Sequence, residues 1–198
     1  MTEIVEKEKV YLSFDIEADG QSPAYNSMLS LGIVGFKTNG DEVFEWQKNL
    51  KPEADKHMEQ RCWNEFWSKH PEQWKFVNTN QVSVEEGMLD LSAKLKELNK
   101  TYKFDWVARP SAYDWQWLKY NYEKTRETHA DMFNIGYTAK CLSALWWSYC
   151  KRNKLTSEQK NTLWKKLEGD TTVTHNSLDD ARAQGRVFVG LMKLDGIF

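Results

Sequence analysis

The sequence predicts an α/β domain built around one mixed sheet, and three observations carry that prediction. Residues 10–17 alternate apolar and polar side chains with the period of a strand. Asn39-Gly40 supplies a tight hairpin turn between two strand-like runs. Beyond residue 50 a further strand-like segment is interspersed with helical ones, which is the order of an α/β rather than an all-β chain.

The elements follow in order. Val10, Leu12, Phe14 and Ile16 alternate with Tyr11, Ser13, Asp15 and Glu17, giving the first strand one apolar and one polar face. Asp19-Gly20 closes it with a turn. Met28 to Phe36 is a continuous apolar run broken by Gly32 and Gly35, the pattern of a strand covered on both faces. Glu42 to Leu50 makes the third strand, so the sheet starts antiparallel. Met58 to His70 carries Trp63, Phe66 and Trp67 at helix spacing, and Pro71 is expected to end that helix. Ser83 to Asn99 sets Met88, Leu91, Leu95 and Leu98 on one face, with Ser83 and Glu86 as a capping box. Phe104 to Ala108 is a short strand closed by Arg109-Pro110. Tyr113 to Lys124, Lys140 to Arg152, Ser157 to Leu167 and Ser177 to Leu194 read as helices. Without repeat, low-complexity stretch or linker, one domain is expected over residues 1–198, with its core between about residues 9 and 194.

A chain of 198 residues, 40% hydrophobic and 28% charged, can bury a core without staples. Its formal net charge of −2 and sequence pI near 6.1 exclude a protein that coats long duplexes, since such affinity comes from neutralising phosphates. An enzyme gripping a few nucleotides through metal ions needs no basic excess. Cys62, Cys141 and Cys150 are odd in number and lack zinc spacing, so neither a disulfide framework nor a zinc site is indicated. Met1 to Lys9 has no apolar core of a signal peptide, and no apolar run approaches the roughly 20 residues that span a bilayer. A reducing, cytoplasmic setting without membrane partners is expected. The ten tryptophans require either a large aromatic core, a stacking surface or a homodimer interface.

Four acids and a histidine bear on chemistry. Alternation puts Asp15 and Glu17 on one strand face, Cβ atoms about 7 Å apart, where two carboxylates can share a hard divalent cation. An isolated Asp-x-Glu is more often a solvated strand face; here the acids are concentrated at one end, beyond uncharged Tyr11 and Ser13. Asp114 falls in the first turn of a helix, where an acid also complements the dipole. His175 precedes the final helix, with Ser177 as its expected N-cap and Asp179 and Asp180 in its first turn, again a capping and dipole pattern. Each signal alone is weak.

In combination the chain resembles the DEDDh exonuclease family. Phe14-Asp15-Ile16-Glu17 matches its first motif, Tyr113-Asp114 its second, and His175-Asn176-Ser177-Leu178-Asp179-Asp180-Ala181 its third, in the family's order over residues 10 to 190. The resemblance implies a ribonuclease H-like fold: a five-stranded mixed sheet flanked by helices. It implies a 3′–5′ exonuclease acting on single-stranded RNA or DNA with a free 3′ end, or on 3′ overhangs, to give nucleoside 5′-monophosphates. It implies two Mg²⁺ or Mn²⁺ ions held by Asp15, Glu17, Asp114 and Asp180, rather than Asp179, with His175 as general base. It also implies that backbone at Ala18 meets the terminal nucleotide, although many members carry Thr-Gly shortly after the Glu where this chain has Ala18-Asp19-Gly20.

For the remaining residues, Trp63 and Trp67 at i, i+4 are read as core. Trp115, beside Asp114, is a candidate for stacking a base, and Arg186, on the Asp180 helix, for reaching substrate. Two rival functions stay open: a nucleic-acid-binding or scaffold module that kept the fold without catalysis, and a ribonuclease H-like endonuclease.

Overall fold

A computed structural model describes residues 7–169 and 174–198. Its strands are β1 (Glu8–Ala18), β2 (Met28–Lys37), β3 (Glu42–Asn49), β4 (Tyr102–Ala108) and β5 (Ala139–Cys141). Its helices are α1 (Gln60–Glu65), α2 (Pro71–Val77), α3 (Val84–Thr101), α4 (Ser111–Arg126), α5 (Leu142–Arg152), α6 (Ser157–Glu168) and α7 (Ser177–Leu194), with a 3₁₀ turn at Trp67–Lys69. The sheet order is β3-β2-β1-β4-β5. β1 and β2 pair antiparallel, as do β2 and β3, whereas β1, β4 and β5 run parallel. The expected five-stranded mixed α/β sheet is therefore present.

The period of two along β1 sorts the molecule into layers. Val10, Leu12, Phe14 and Ile16 are buried with Met88, Leu91 and Leu95 of α3 and Trp117 and Leu118 of α4. Tyr11 turns to the other face, where Val34, Phe36 and Val107 meet Val187, Phe188 and Leu191 of α7. Asp15 and Glu17 belong to this second face, so α7 lies over their side of the sheet. Two glycines permit its close approach. A Cβ on Gly32 would stand 2.3 Å from the Leu178 nitrogen, and one on Gly185 would stand 2.1 Å from the Phe36 ring.

Several boundaries differ from expectation. The helix expected over residues 58–70 breaks at Phe66 into α1 and the 3₁₀ turn, and Pro71 starts α2 instead of only ending what precedes it. Proline is suited to a first helical position, where its missing N–H costs no hydrogen bond. Lys140, expected to open a helix, lies in β5; three residues are too few for alternation to reveal a strand. Asn176 rather than Ser177 caps α7, its side chain accepting from the Leu178 N–H at 3.0 Å. Ser177 is instead buried and shares a 2.7 Å hydroxyl hydrogen bond with Ser30 of β2.

The tryptophans are largely inside. Trp46, Trp67, Trp106 and Trp117 are buried, and Trp147 stands out at 64% exposure. Among the described residues no helix is long and apolar enough to cross a membrane.

Candidate active site

Because β1 and β4 are parallel neighbours, the C-terminal end of β1 and the helix that follows β4 lie at the same end of the sheet. That places Asp15 and Glu17 beside the first turn of α4, which carries Asp114. The third contribution comes from α7, whose N-terminal turn crosses β2 at Gly32, the register partner of Asp15. The Ser30–Ser177 hydrogen bond pins this crossing, and Gln47 of β3 donates to the Asn176 side chain at 2.8 Å. Asp180, in the first turn of α7, is thereby brought to Glu17. Ligand atoms of Glu17, His175 and Asp180 all lie within 4.8 Å of one another.

Glu17, Asp114 and Asp180 are buried, at 8%, 3% and 7% exposure, with Asp15 partly covered beside them. So much negative charge in a low-dielectric place is costly unless something neutralises it. Burial pushes the Asp15 carboxyl well above the usual carboxylate range, and the charges of Asp114, Glu17 and Asp180 push it further. Gln184, donating to Asp15 Oδ1 at 2.7 Å, opposes that rise. Glu17 is raised by burial and by Asp180 and Asp114. Burial lifts Asp114 to about 7, against hydrogen bonds from its own backbone and that of Ile16. Asp180 is lifted to about 6, again by burial, while the Thr174 N–H donates to its Oδ1 at 3.0 Å.

One atom shows what the arrangement lacks. Asp114 Oδ2 is buried and, among the described residues, has no hydrogen-bond partner. An orphaned carboxylate oxygen facing other carboxylates is a poor resting state for a protein alone, and a good ligand for a hard cation that takes oxygen donors. Asp15, Glu17, Asp114 and Asp180 therefore fit a divalent metal centre in residue type, burial and mutual repulsion.

The family model of the RNase_T exonucleases matches residues 12–188. The chain belongs to this exonuclease family. The match runs across β1, α4 and the start of α7, the three elements that supply the carboxylates, as expected for a DEDDh-type member. No curated protein matches the chain. Solved structures place the exonuclease domain in the ribonuclease H-like fold. A full-length 3′-exonuclease matches with a TM-score of 0.58 at 18% identity, over 96% of this chain and 62% of that one. A zinc-bound complex of E. coli exonuclease I with single-stranded DNA gives 0.67 at 13% identity, over 96% of this chain and 41% of that one. S. pombe Pop2p in a Mg²⁺- and Mn²⁺-bound form gives 0.56 at 12% identity, over 92% and 82%. The exonuclease domain thus spans 62% and 41% of the length of the first two.

His175 reaches the carboxylates from the loop before α7, with φ of 54°, a left-handed conformation uncommon outside glycine. Its ring packs on Phe66 and His70, both at 4.8 Å between centroids. Burial and the nearby His70 lower its pKa. Ala18 ends β1, and its carbonyl accepts from the Trp67 indole at 3.1 Å. Beside it opens a cavity of about 400 Å³ lined by Gly20, Cys62, Phe66 and Tyr113.

The two other expected substrate contacts lie elsewhere. Trp115 packs against Phe14 and Trp106, on the sheet face opposite Asp15, because one residue past Asp114 is about 100° round the helix. Arg186 pairs at 3.3 Å with Glu42, at the start of β3 and so toward the far end of the sheet. Six residues of α7 carry it about 9 Å down the axis from Asp180. Gln184 was not anticipated, although its i+4 spacing from Asp180 puts both on one helix face.

Proposed function

We propose that this domain is a divalent-cation-dependent 3′–5′ exonuclease that removes nucleoside 5′-monophosphates from single-stranded nucleic acid or from 3′ overhangs. The observation that carries the reading is the burial together of Glu17, Asp114 and Asp180, from three separate elements and with Asp15 partly covered beside them, and an imidazole next to two of them. Family membership and single-stranded DNA in complexes of exonuclease I support it.

Asp15, Glu17 and Asp180 would hold one cation and Asp15 and Asp114 a second. Two such ions, Mg²⁺ or Mn²⁺, would when bound offset charge on the attacking and leaving oxygens of a phosphodiester and make water easier to deprotonate. His175, whose pKa is lowered by burial and by His70, takes a proton from water as the water oxygen bonds to phosphorus. The bond from phosphorus to the 3′ oxygen of the penultimate nucleotide breaks, and solvent protonates that oxygen. The products are a 5′-monophosphate and a strand one residue shorter with a new 3′ hydroxyl. The cavity beside Ala18 receives the terminal nucleotide in this reading, with Phe66 and Tyr113 as its aromatic walls.

The test uses matched 3′- and 5′-labelled RNA and DNA oligomers with Mg²⁺, Mn²⁺ or EDTA, beside Asp15→Ala. A metal-dependent ladder receding from the 3′ end, absent with Asp15→Ala, is expected. Internal cuts would indicate an endonuclease. Intact oligomers under every metal would refute the reading in favour of a binding module.

A further inference from the structure

The histidine loop is not left to find its own position. A helical arm, residues 60–77 from α1 through the 3₁₀ turn to α2, touches it at three points. The Phe66 ring meets His175 edge-on, with 4.8 Å between centroids and 86° between planes. His70 lies 4.8 Å from His175 and 4.6 Å from Phe66, closing a triangle of rings. Gln73 donates its side-chain N–H to the Thr174 carbonyl at 3.1 Å, gripping the residue before His175.

The arm is itself fixed. Trp67 is buried against Leu29 and Val77, and its indole donates to the Ala18 carbonyl. Trp74 packs between Trp63 and Trp67 at 5.4 and 5.2 Å, locking α1 to α2. Asn49 at the end of β3 donates to the carbonyls of Phe76 and Thr79, holding the arm's far end. An element anchored at both ends and packed on a left-handed histidine can hold that side chain in place, its contacts offsetting the cost of the backbone conformation.

We propose that this arm sets the position of His175 opposite Glu17 and Asp180, with Phe66, His70 and Gln73 as positioning residues. The proposal rests on the exonuclease reading for what His175 does, not for how it is held. Because Trp67 ties the same arm to Ala18, one rigid body spans from the terminal-nucleotide cavity to the histidine. A shift of about 1 Å at a reacting group can cost on the order of a hundredfold in rate, so loosening the arm acts on turnover rather than on substrate grip.

Phe66→Ala, His70→Ala and Gln73→Ala, with His70→Phe as the conservative variant, test it in two ways. In the first, kcat and KM are measured on a single-stranded oligonucleotide and normalised to folded protein by circular dichroism. Phe66 also walls the cavity, so the His70 and Gln73 variants carry the split: kcat should fall about tenfold or more, with KM within roughly threefold. His70→Phe, which keeps a ring in the triangle, should restore most of kcat. In the second, NMR of histidine-labelled, metal-free protein follows the His175 ring, whose signals should lose their ring-current shift with Phe66→Ala and broaden with Gln73→Ala. Variants that lower only the melting temperature, with kcat per folded molecule within about twofold, overturn the proposal. So does a His175 spectrum unchanged in every variant. An inactive wild-type protein would refute the exonuclease reading alone, and the spectra would then decide whether the arm holds the ring.

Discussion

Gly32→Ala would remove no functional group, yet it is expected to disable the site. The added Cβ would stand 2.3 Å from the Leu178 nitrogen, 2.3 Å from the Ser177 carbonyl carbon and 2.5 Å from the Leu178 Cα, where ordinary contact begins at 3.4 Å. All three neighbours are backbone, so no rotamer change relieves the overlap, and the first turn of α7 must retreat by roughly 1 Å. Overpacking of this kind typically costs about 1–3 kcal/mol. For a chain of this size that lowers the melting temperature by about 3–10 °C. The larger consequence falls on Asp180, two residues beyond Leu178, whose carboxylate moves away from Glu17. Turnover should drop on the order of a hundredfold, and Mn²⁺ affinity measured by calorimetry should weaken in parallel. Gly32→Ala protein that is folded, binds Mn²⁺ as wild type and degrades a 3′-labelled oligomer within about twofold of the wild-type rate would refute the account of how α7 is docked.

Three further outcomes follow from the same geometry. Asp114 and Asp180, with values near 7 and 6, bind protons more tightly folded than unfolded. Their contribution is therefore fully present below the ordinary carboxylate pKa and is lost as pH rises through about 6 and 7, so metal-free protein should melt several degrees lower at pH 8 than at pH 5. Calorimetry in saturating Mg²⁺ should show that decline reduced. Gln184→Ala removes the hydrogen bond that Asp15 Oδ1 accepts from this side chain, and should weaken Mn²⁺ binding by about tenfold or more without unfolding the chain. Trp67→Phe keeps most of the apolar contact but leaves the Ala18 carbonyl without its indole partner; urea denaturation should show a loss of about 1–2 kcal/mol.

What could be read in the sequence was whatever has a local signature. The alternation in β1, the Asn39-Gly40 hairpin and the Ser83–Glu86 capping box each involve residues within a few positions of one another, and each recurs in the structure. Asp15, Glu17, Asp114, His175 and Asp180 were named together through the resemblance of three motifs to the DEDDh family, although two of the motifs alone also fit a helix dipole. The arm was read as one helix because Trp63, Phe66 and Trp67 share helical spacing whether or not the helix breaks at Phe66. Nothing within residues 60–77 says that its rings close on a histidine a hundred positions away. The positions of Trp115 and Arg186 were out of reach for a related reason. Proximity to a motif residue in sequence does not fix the face of the helix or the distance along it, and tertiary contacts with Phe14 and Glu42 decided both.

The order of the contributing elements along the chain has a consequence for biosynthesis. β1 emerges early with Asp15 and Glu17, Asp114 follows near the middle, and Asp180 arrives only with α7. Domains acquire structure during translation as their parts leave the ribosome. A nascent chain halted before residue 175 holds three of the four carboxylates and neither the imidazole nor Asp180. Under the exonuclease reading such a product would lack a complete hydrolytic centre, so truncation or stalled synthesis within this domain would leave inactive polypeptide.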